Sequence, residues 1–217
     1  MSFEKQRQVM VDSQIRVNDV TTPALVSAFL NVPRELFVPK SMQSLAYSEL
    51  ELEVAEGRAL WTVRDLGKLL RALDPRSDDV ALVIAAGTGY SAAIIGCNVD
   101  AVIALENNAD LVAEMNERFA GIGLDQAVAV EGDLSKDLAD QGPFDLILVD
   151  GMVETVPDVW LEQLADKGRL GVVVRAGRSL GDARLYTRAG DTVSYRSVFE
   201  CCPPQLAGFE ATKSFVF

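Results

Sequence analysis

The sequence predicts an α/β protein with a doubly wound, mostly parallel sheet, an N-terminal helical cap and a C-terminal antiparallel hairpin. Three observations predict this class. Apolar segments of strand length alternate with helical segments from residue 80 onward, which is typical of a parallel sheet with helices on both faces. Residues 1–75 carry helical periodicity instead. The segment 185–199 alternates around Gly190 and Asp191, which indicates a hairpin.

The N-terminal elements are helices separated by proline-bounded connections. Thr22 followed by Pro23 is a typical helix start, because proline has no N–H to leave unsatisfied in a first turn. The stretch 40–61 is less regular. The predicted elements are a helix over 3–16, a second helix from Pro23 to about Pro33, a turn or short helix within 32–39, and a helix over 63–73.

The clearest strand is 80–86, an uninterrupted apolar run that meets a glycine turn. The strands predicted are 80–86, 101–105, 127–130, 144–149 and 169–174, the helices between them are 90–97, 108–120 and 157–166, and the hairpin joins 185–188 to 193–199. We expect a helical cap over 1–75 and a sheet domain over 76–217, together forming one compact unit.

The charge and the residue order exclude several classes of protein. The net charge of −12 argues against nucleic-acid and membrane-surface binding, since both partners are anionic. The first residues lack the apolar run of a secretory signal, and no segment has the roughly 20 apolar residues of a spanning helix. Three cysteines, two of them adjacent, make a poor disulfide framework, so we expect a reduced, cytoplasmic protein.

The absence of histidine is the most informative feature of the composition. It excludes Ser-His-Asp and Cys-His catalytic machinery, and it excludes a His-ligated zinc site. Three scattered cysteines do not form a zinc site either, so no metal is expected. The chemistry of this protein must therefore work without an imidazole.

Candidate binding residues follow the predicted strands, where open α/β sheets bind their ligands. These residues are Gly87, Glu106, Asp133 and Asp150. Glu106 is placed to accept hydrogen bonds from both hydroxyls of an adenosine ribose, and Asp133 from an adenine amino group. The acids could instead cap helices or lie in solvated loops. The spacing from Gly87 to Ala92 also fits a dinucleotide fingerprint, so NAD stays open here.

Several motifs along the chain occur in an order typical of one family. The segment 32–39, VPRELFVP, is the most specific of them. The other motifs are Arg7 and Met10 with Gln14-Ile15, Ala46-Tyr47-Ser48-Glu49, the glycine loop IAAGTGYSAA at 84–93, Glu131-Gly132-Asp133, and Pro143-Phe144-Asp145. Together they resemble the protein-L-isoaspartate O-methyltransferase family, and the resemblance spans roughly residues 7–175.

The resemblance implies the S-adenosylmethionine-dependent methyltransferase fold, with S-adenosylmethionine as methyl donor. It implies methyl esterification of the isoaspartyl carboxylate in damaged proteins, after which the ester collapses to a succinimide that can reopen to aspartate. The acceptor is thus a protein or peptide carboxylate, which is ionised at neutral pH and needs no general base. The implied donor-binding residues are Ala85, Gly87, Thr88, Gly89, Tyr90, Glu106, Asn107, Gly132, Asp133, Leu134 and Asp150.

The sequence departs from the family pattern at the donor loop and at the catalytic hydroxyl. Val83 replaces an acid that serves the methionine amino group, and Ala85 and Ala86 replace a glycine and a threonine. Trp61 stands at the position of a catalytic serine or threonine. Thr62 is the predicted catalytic hydroxyl after a shift of one residue, with a helix N-cap as its alternative role.

These departures leave three hypotheses for function. The first is a protein-L-isoaspartate O-methyltransferase, or a relative acting on another carboxylate. The second is a catalytically degenerate relative that serves as a binding or interaction protein. The third is an NAD-linked enzyme or a small-molecule methyltransferase, which the lack of histidine makes harder to explain.

Overall fold

The structure is a computed structural model that describes residues 1–136, 138, 140–177 and 179–211. Six α-helices occupy the described residues: α1 (Phe3–Met10), α2 (Pro23–Asn31), α3 (Val63–Leu73), α4 (Tyr90–Gly96), α5 (Ala109–Gly121) and α6 (Asp158–Glu162). None of these helices is both long enough and apolar enough to span a membrane.

The described residues also form nine strands: β1 (Leu52–Ala55), β2 (Arg58–Leu60), β3 (Val80–Ile84), β4 (Ala101–Glu106), β5 (Ala127–Glu131), β6 (Phe144–Val153), β7 (Leu164–Val174), β8 (Gly181–Ala189) and β9 (Thr192–Cys201). Strands β1 and β2 make a separate antiparallel hairpin. The main sheet has the order β5-β4-β3-β6-β7-β8-β9. Strands β3 to β7 are parallel, and β8 and β9 are antiparallel, which confirms the predicted fold class.

The N-terminal helices follow the sequence closely, with local differences. Helix α1 ends at Met10, and a π-helical turn and a 3-10 turn continue it to Asn18, so the predicted helix over 3–16 is not uniformly α-helical. Helix α2 begins at Pro23 as predicted, although the Thr22 side chain makes no capping hydrogen bond. The proline-bounded segment forms a 3-10 helix, Arg34–Phe37.

Several predicted boundaries were wrong. Strand β6 continues to Val153 and therefore contains Asp150, which the sequence placed after the strand. Helix α6 ends at Glu162 rather than at residue 166, and β7 begins earlier than 169. The helix ends early because the Gln163 carbonyl accepts a hydrogen bond from the Phe144 backbone N–H at 2.8 Å. The backbone that follows Gln163 therefore pairs with β6 as a strand.

The N-terminal helices and the sheet share one apolar core. Buried side chains of α1, α2 and α3 belong to the same cluster as those on one face of β3, β4 and β6. A second cluster fills the opposite face, around Trp160. Helix α3 lies so close to β7 that a Cβ at Gly171 would be 2.9 Å from Leu73. The division into segments 1–75 and 76–217 stays a prediction.

A buried ion pair ties the end of α3 to the sheet. Arg169 in β7 donates from Nη2 to Asp79 at 2.5 Å, and both residues are less than a tenth exposed. The same guanidinium donates to the carbonyls of Leu73 at 2.8 Å and Asp74 at 3.0 Å. The arginine thus binds the backbone that leaves α3 and the acid that precedes β3.

Replacing Asp79 with asparagine will lower the free energy of unfolding by about 3 kcal/mol, because it leaves the Arg169 charge buried without its counter-charge. The matched control is Arg76→Ala, which breaks the Arg76–Asp74 pair at 3.3 Å, where both side chains are more than half exposed. That change should cost less than about 1 kcal/mol. Equal losses in urea titrations of the two variants would contradict the ranking.

Candidate active site

The candidate site lies where the order of the strands reverses. Strand β3 pairs with β4 on one side and with β6 on the other, although β5 separates β4 from β6 along the chain. In sheets of this type a crevice opens beyond the strand ends at such a position, and ligands bind there. The loop 85–89 after β3, Glu106 at the end of β4 and Asp150 in β6 surround this position.

Glu106 is the centre of the site. Its side chain is completely buried. Oε2 accepts from the backbone N–H of Gly87 at 2.9 Å and from Nε of Arg58 at 2.8 Å. Oε1 accepts from the backbone N–H of Asn107 at 2.8 Å and from Nη2 of Arg58 at 2.9 Å. Because a carboxylate has about four lone-pair positions, this one has a full set of donors.

Arg58 is the side chain of the candidate site that sequence reasoning does not identify. It begins β2, and its guanidinium also donates to the Gly57 carbonyl at 3.0 Å and to Oδ1 of Asn107 at 3.0 Å. Its side chain is only 11% exposed. The signal that points to it is indirect: a buried acid needs strong donors, but the sequence does not show which acid is buried.

The two loop glycines have different structural roles. Both have positive φ, +59° at Gly87 and +93° at Gly89. A Cβ at Gly89 would be 3.0 Å from Met115 on α5, so this glycine permits close packing of the helix. A Cβ at Gly87 would face the Arg58 side chain at 3.6 Å. Gly87 is therefore the glycine whose open side faces the crevice, and Arg58 lies over it.

The VPRELFVP segment packs directly on the glycine loop. Thr88 Oγ1 donates to the Phe37 carbonyl at 2.7 Å. The Phe37 ring lies 5.5 Å from the Tyr90 ring, and the guanidinium of Arg34 lies 4.6 Å from the centre of the same ring. Arg34 is completely buried, and this burial lowers the pKa of its guanidinium. The segment thus fixes the position of Thr88 and Tyr90.

Asp150 is the titratable group beside this loop. Ser91 donates a hydrogen bond to its carboxylate. Burial raises the pKa of Asp150 to about 7. The Ser91 hydrogen bond and the charges of Arg58 and Arg34 oppose this shift, and the charge of Glu106 adds to it. Asp150 can therefore change its charge near neutral pH.

The loop after β5 contains Gly132, Asp133 and Leu134, the remaining residues that are predicted to bind the methyl donor. The Gly132 N–H donates to the Glu106 carbonyl at 3.0 Å, so this loop is joined to the central acid. Asp133 is exposed, and hydrogen bonds from Ser135 lower the pKa of its carboxyl. Leu134 is buried. The structure thus places Gly132 beside Glu106 and leaves Asp133 accessible from outside.

Trp61 and Thr62 occupy the predicted catalytic position, and both have structural contacts. Trp61 is 2% exposed, and its carbonyl accepts from Nη2 of Arg34 at 2.6 Å. Thr62 Oγ1 accepts from the Asp65 N–H at 3.3 Å and caps α3. The hydroxyl thus performs the capping role that the sequence offered as its alternative. A catalytic role for Thr62 stays a prediction.

The backbone and the acids of the site fit an adenosine-containing donor. Gly87 leaves its crevice side free of a Cβ, Glu106 is a buried acid at the end of β4, and Asp133 is accessible. Val83 is fully buried in the core, so it offers no group to the methionine end of the donor. Arg58 is the side chain that uses the acceptor positions a ribose would need.

Comparison with known proteins agrees with this geometry. The family model described as protein-L-isoaspartate(D-aspartate) O-methyltransferase matches residues 5–202. A protein-L-isoaspartate O-methyltransferase of Petrotoga mobilis is 31% identical over 175 residues, which cover 80% of this chain and 82% of that protein. This similarity extends over most of both proteins.

Two solved structures share the fold. A protein-L-isoaspartate O-methyltransferase superposes with a TM-score of 0.81 and 21% identity, over 95% of this chain and 66% of that one. A Plasmodium falciparum protein described as a member of the same class, in complex with S-adenosyl-L-homocysteine, gives 0.78 and 15% identity, over 93% and 97% of the two chains. At these identities the likeness concerns the fold.

The strained residue of the loop provides a stability test. Ala85 has a φ of +61°, a conformation that costs a non-glycine residue about 1 kcal/mol or more. Both Ala85→Gly and Ala86→Gly remove one buried methyl group, but only the first also relieves this strain. We expect Ala85→Gly to be more stable than Ala86→Gly by about 1 kcal/mol in thermal unfolding. The reverse order would contradict the strain.

Asp150 provides a pH test. A carboxyl whose pKa is higher in the folded than in the unfolded state stabilises the fold at low pH, and this contribution is lost as pH rises through the folded pKa. Here the loss runs from about pH 4 to about pH 7. Asp150→Asn should therefore flatten the fall in unfolding free energy between about pH 4 and 7. An unchanged slope would show that the group does not titrate there.

Proposed function

The chain belongs to the protein-L-isoaspartate(D-aspartate) O-methyltransferase family, and on that premise we propose that it transfers a methyl group from S-adenosylmethionine to an isoaspartyl carboxylate. One observation carries the proposal beyond family membership. Glu106 ends the strand next to the glycine loop and is fixed by the Gly87 N–H at 2.9 Å, at the switch point of the sheet. This is the arrangement that presents an acid to an adenosine ribose.

The donor-binding residues of the proposal are those that surround Glu106. Gly87, Thr88, Gly89 and Tyr90 form the loop against one side of the donor, with Ala85 at the start of its turn. On the other side, Asn107, Gly132, Asp133 and Leu134 follow the ends of β4 and β5. Asp150 closes the crevice from β6. Support comes from the hydrogen bonds that join Glu106 to Gly87, Asn107 and Gly132.

The chemistry needs little from the protein beyond placement. S-adenosylmethionine supplies an electrophilic methyl group on a sulfonium. The acceptor carboxylate is ionised at neutral pH, so no residue has to remove a proton from it. Holding the two reactants in line accounts for much of the catalysis in such a reaction. A chain without histidine can therefore perform it, and the family match favours this donor over NAD.

The proposed partner is a damaged protein or peptide that presents an isoaspartyl carboxylate. We propose a cytoplasmic location, because such an enzyme needs access to ageing proteins and its donor. The net charge of −12 supports the expectation that nucleic acids and anionic membranes are not its partners.

A second candidate function is that of a methyltransferase-fold interaction protein without turnover. Three observations favour it specifically. Val83 offers no polar group to the donor, Ala85 holds a strained conformation where the family has glycine, and Arg58 saturates Glu106. The two candidates differ in whether donor and acceptor are turned over.

Incubation with methyl-labelled S-adenosylmethionine and an isoaspartyl peptide tests the first function. We expect base-labile label in the isoaspartyl peptide, because a carboxyl methyl ester hydrolyses in base. The same peptide with normal aspartate is the control and should stay unlabelled. Absence of label from both peptides, at millimolar donor, would support the interaction protein instead.

Thr62→Asn separates capping from catalysis at that position. Asparagine caps helices about as well as threonine, so the unfolding free energy should stay within about 0.5 kcal/mol, whereas Thr62→Ala should lose about 1 kcal/mol. If the hydroxyl takes part in catalysis, Thr62→Asn will lose turnover in the labelling assay while remaining stable. Full turnover by the asparagine variant would refute the catalytic assignment.

A further inference from the structure

The Glu106 carboxylate has no acceptor position left for a ligand. Two backbone N–H groups and two guanidinium N–H groups of Arg58 bond its oxygens at 2.8 to 2.9 Å. The backbone donors belong to the loops and cannot leave without unfolding them. A ribose can therefore reach Glu106 only where Arg58 now binds. We propose that Arg58 is a latch that closes the donor site, and that donor entry requires its side chain to move out.

This inference rests on the proposed function, since it concerns the same donor. The guanidinium of Arg58 occupies the Glu106 oxygens that the ribose would need. Its aliphatic part occupies the space beside Gly87 that the donor would need. Its Cβ, Cγ and Cδ lie 3.6 to 3.8 Å from the point where a Cβ of Gly87 would be. This open side of the glycine is what allows a ligand to approach the backbone. One side chain thus covers both features of the donor site.

The structure also offers Arg58 a second position. Arg58 also lines an open surface cavity of about 370 Å³, whose other lining residues include Glu51, Glu53, Gly57 and Pro204. Glu51 and Glu53 are exposed acids whose side chains can receive a guanidinium. The arginine can therefore exchange one carboxylate for others when it leaves Glu106.

The element that carries Arg58 is built to move locally. Strands β1 and β2 pair only with each other, and a two-stranded hairpin is marginally stable by itself. Leu52 and Leu60 anchor its two ends in the core. The tip contains Glu56 and Gly57, which are exposed, and the pairing register shifts just before it. Movement of the tip leaves the anchors in place.

The latch predicts a specific cost for donor binding. If the open position is a minor one, the apparent affinity for the donor falls in proportion to the open fraction. Removing the guanidinium removes this cost. We therefore expect Arg58→Ala to bind S-adenosylhomocysteine at least tenfold more tightly than the wild-type protein in calorimetry. Arg58→Gln, which keeps the stem and an amide donor but loses the charge, should lie between the two.

The control variant is Arg64→Ala, which removes an arginine paired with Asp65 at 3.0 Å outside the donor site. It should bind S-adenosylhomocysteine like the wild-type protein. A double variant, Glu51→Gln with Glu53→Gln, removes the charges that receive the open arginine and should weaken binding severalfold. Equal affinities of wild type, Arg58→Ala and Arg58→Gln would overturn the latch and leave the proposed function standing.

Amide hydrogen exchange of the hairpin tip gives a readout that does not depend on affinity. In the wild-type protein, S-adenosylhomocysteine should speed exchange at residues 54–58, since the ligand displaces Arg58. In Arg58→Ala the same amides should exchange fast without ligand. Slower exchange of the wild-type tip on ligand addition would overturn the latch. Absence of binding by every variant would overturn the proposed donor and the latch together.

Discussion

The organising constraint of this molecule is a carboxylate buried at the end of a central strand. Taking an ion out of water is costly unless strong donors surround it. Glu106 is supplied with them by three separate pieces of chain: the glycine loop, its own following residue and a hairpin some fifty positions earlier in the sequence. The loop after β3 and the hairpin are therefore held together, because both donate hydrogen bonds to the Glu106 carboxylate.

The same logic explains why distant motifs occur together in this sequence. The Phe37 carbonyl of the VPRELFVP segment accepts a hydrogen bond from the Thr88 hydroxyl, and Arg34 and Phe37 of the same segment pack on Tyr90. These contacts support the conformation of the glycine loop. A departure within the loop, such as the strained Ala85, can be retained because the surrounding contacts determine its conformation.

Most of the sheet could be predicted from sequence, because a continuous apolar run such as 80–86 has few alternatives to a buried strand. What could not be predicted depended on long-range contacts. Helix α6 ends early because the Gln163 carbonyl accepts a hydrogen bond from the backbone N–H of Phe144 in β6. The hairpin before Trp61 is too short and too charged to show a clear alternation. Arg58 was therefore missed, since its role appears only when the hairpin is folded over Glu106.

A crystal structure of the protein with S-adenosylhomocysteine would show directly whether Glu106 binds the ribose of the donor. We expect the two ribose hydroxyls to donate to the Glu106 oxygens, at about 2.7 Å each, and the guanidinium of Arg58 to lie beside Glu51 and Glu53. The Gly87 N–H should still bond to Glu106. A complex in which the ligand is bound while Arg58 remains paired with Glu106 would show instead that this acid is not the ribose acceptor.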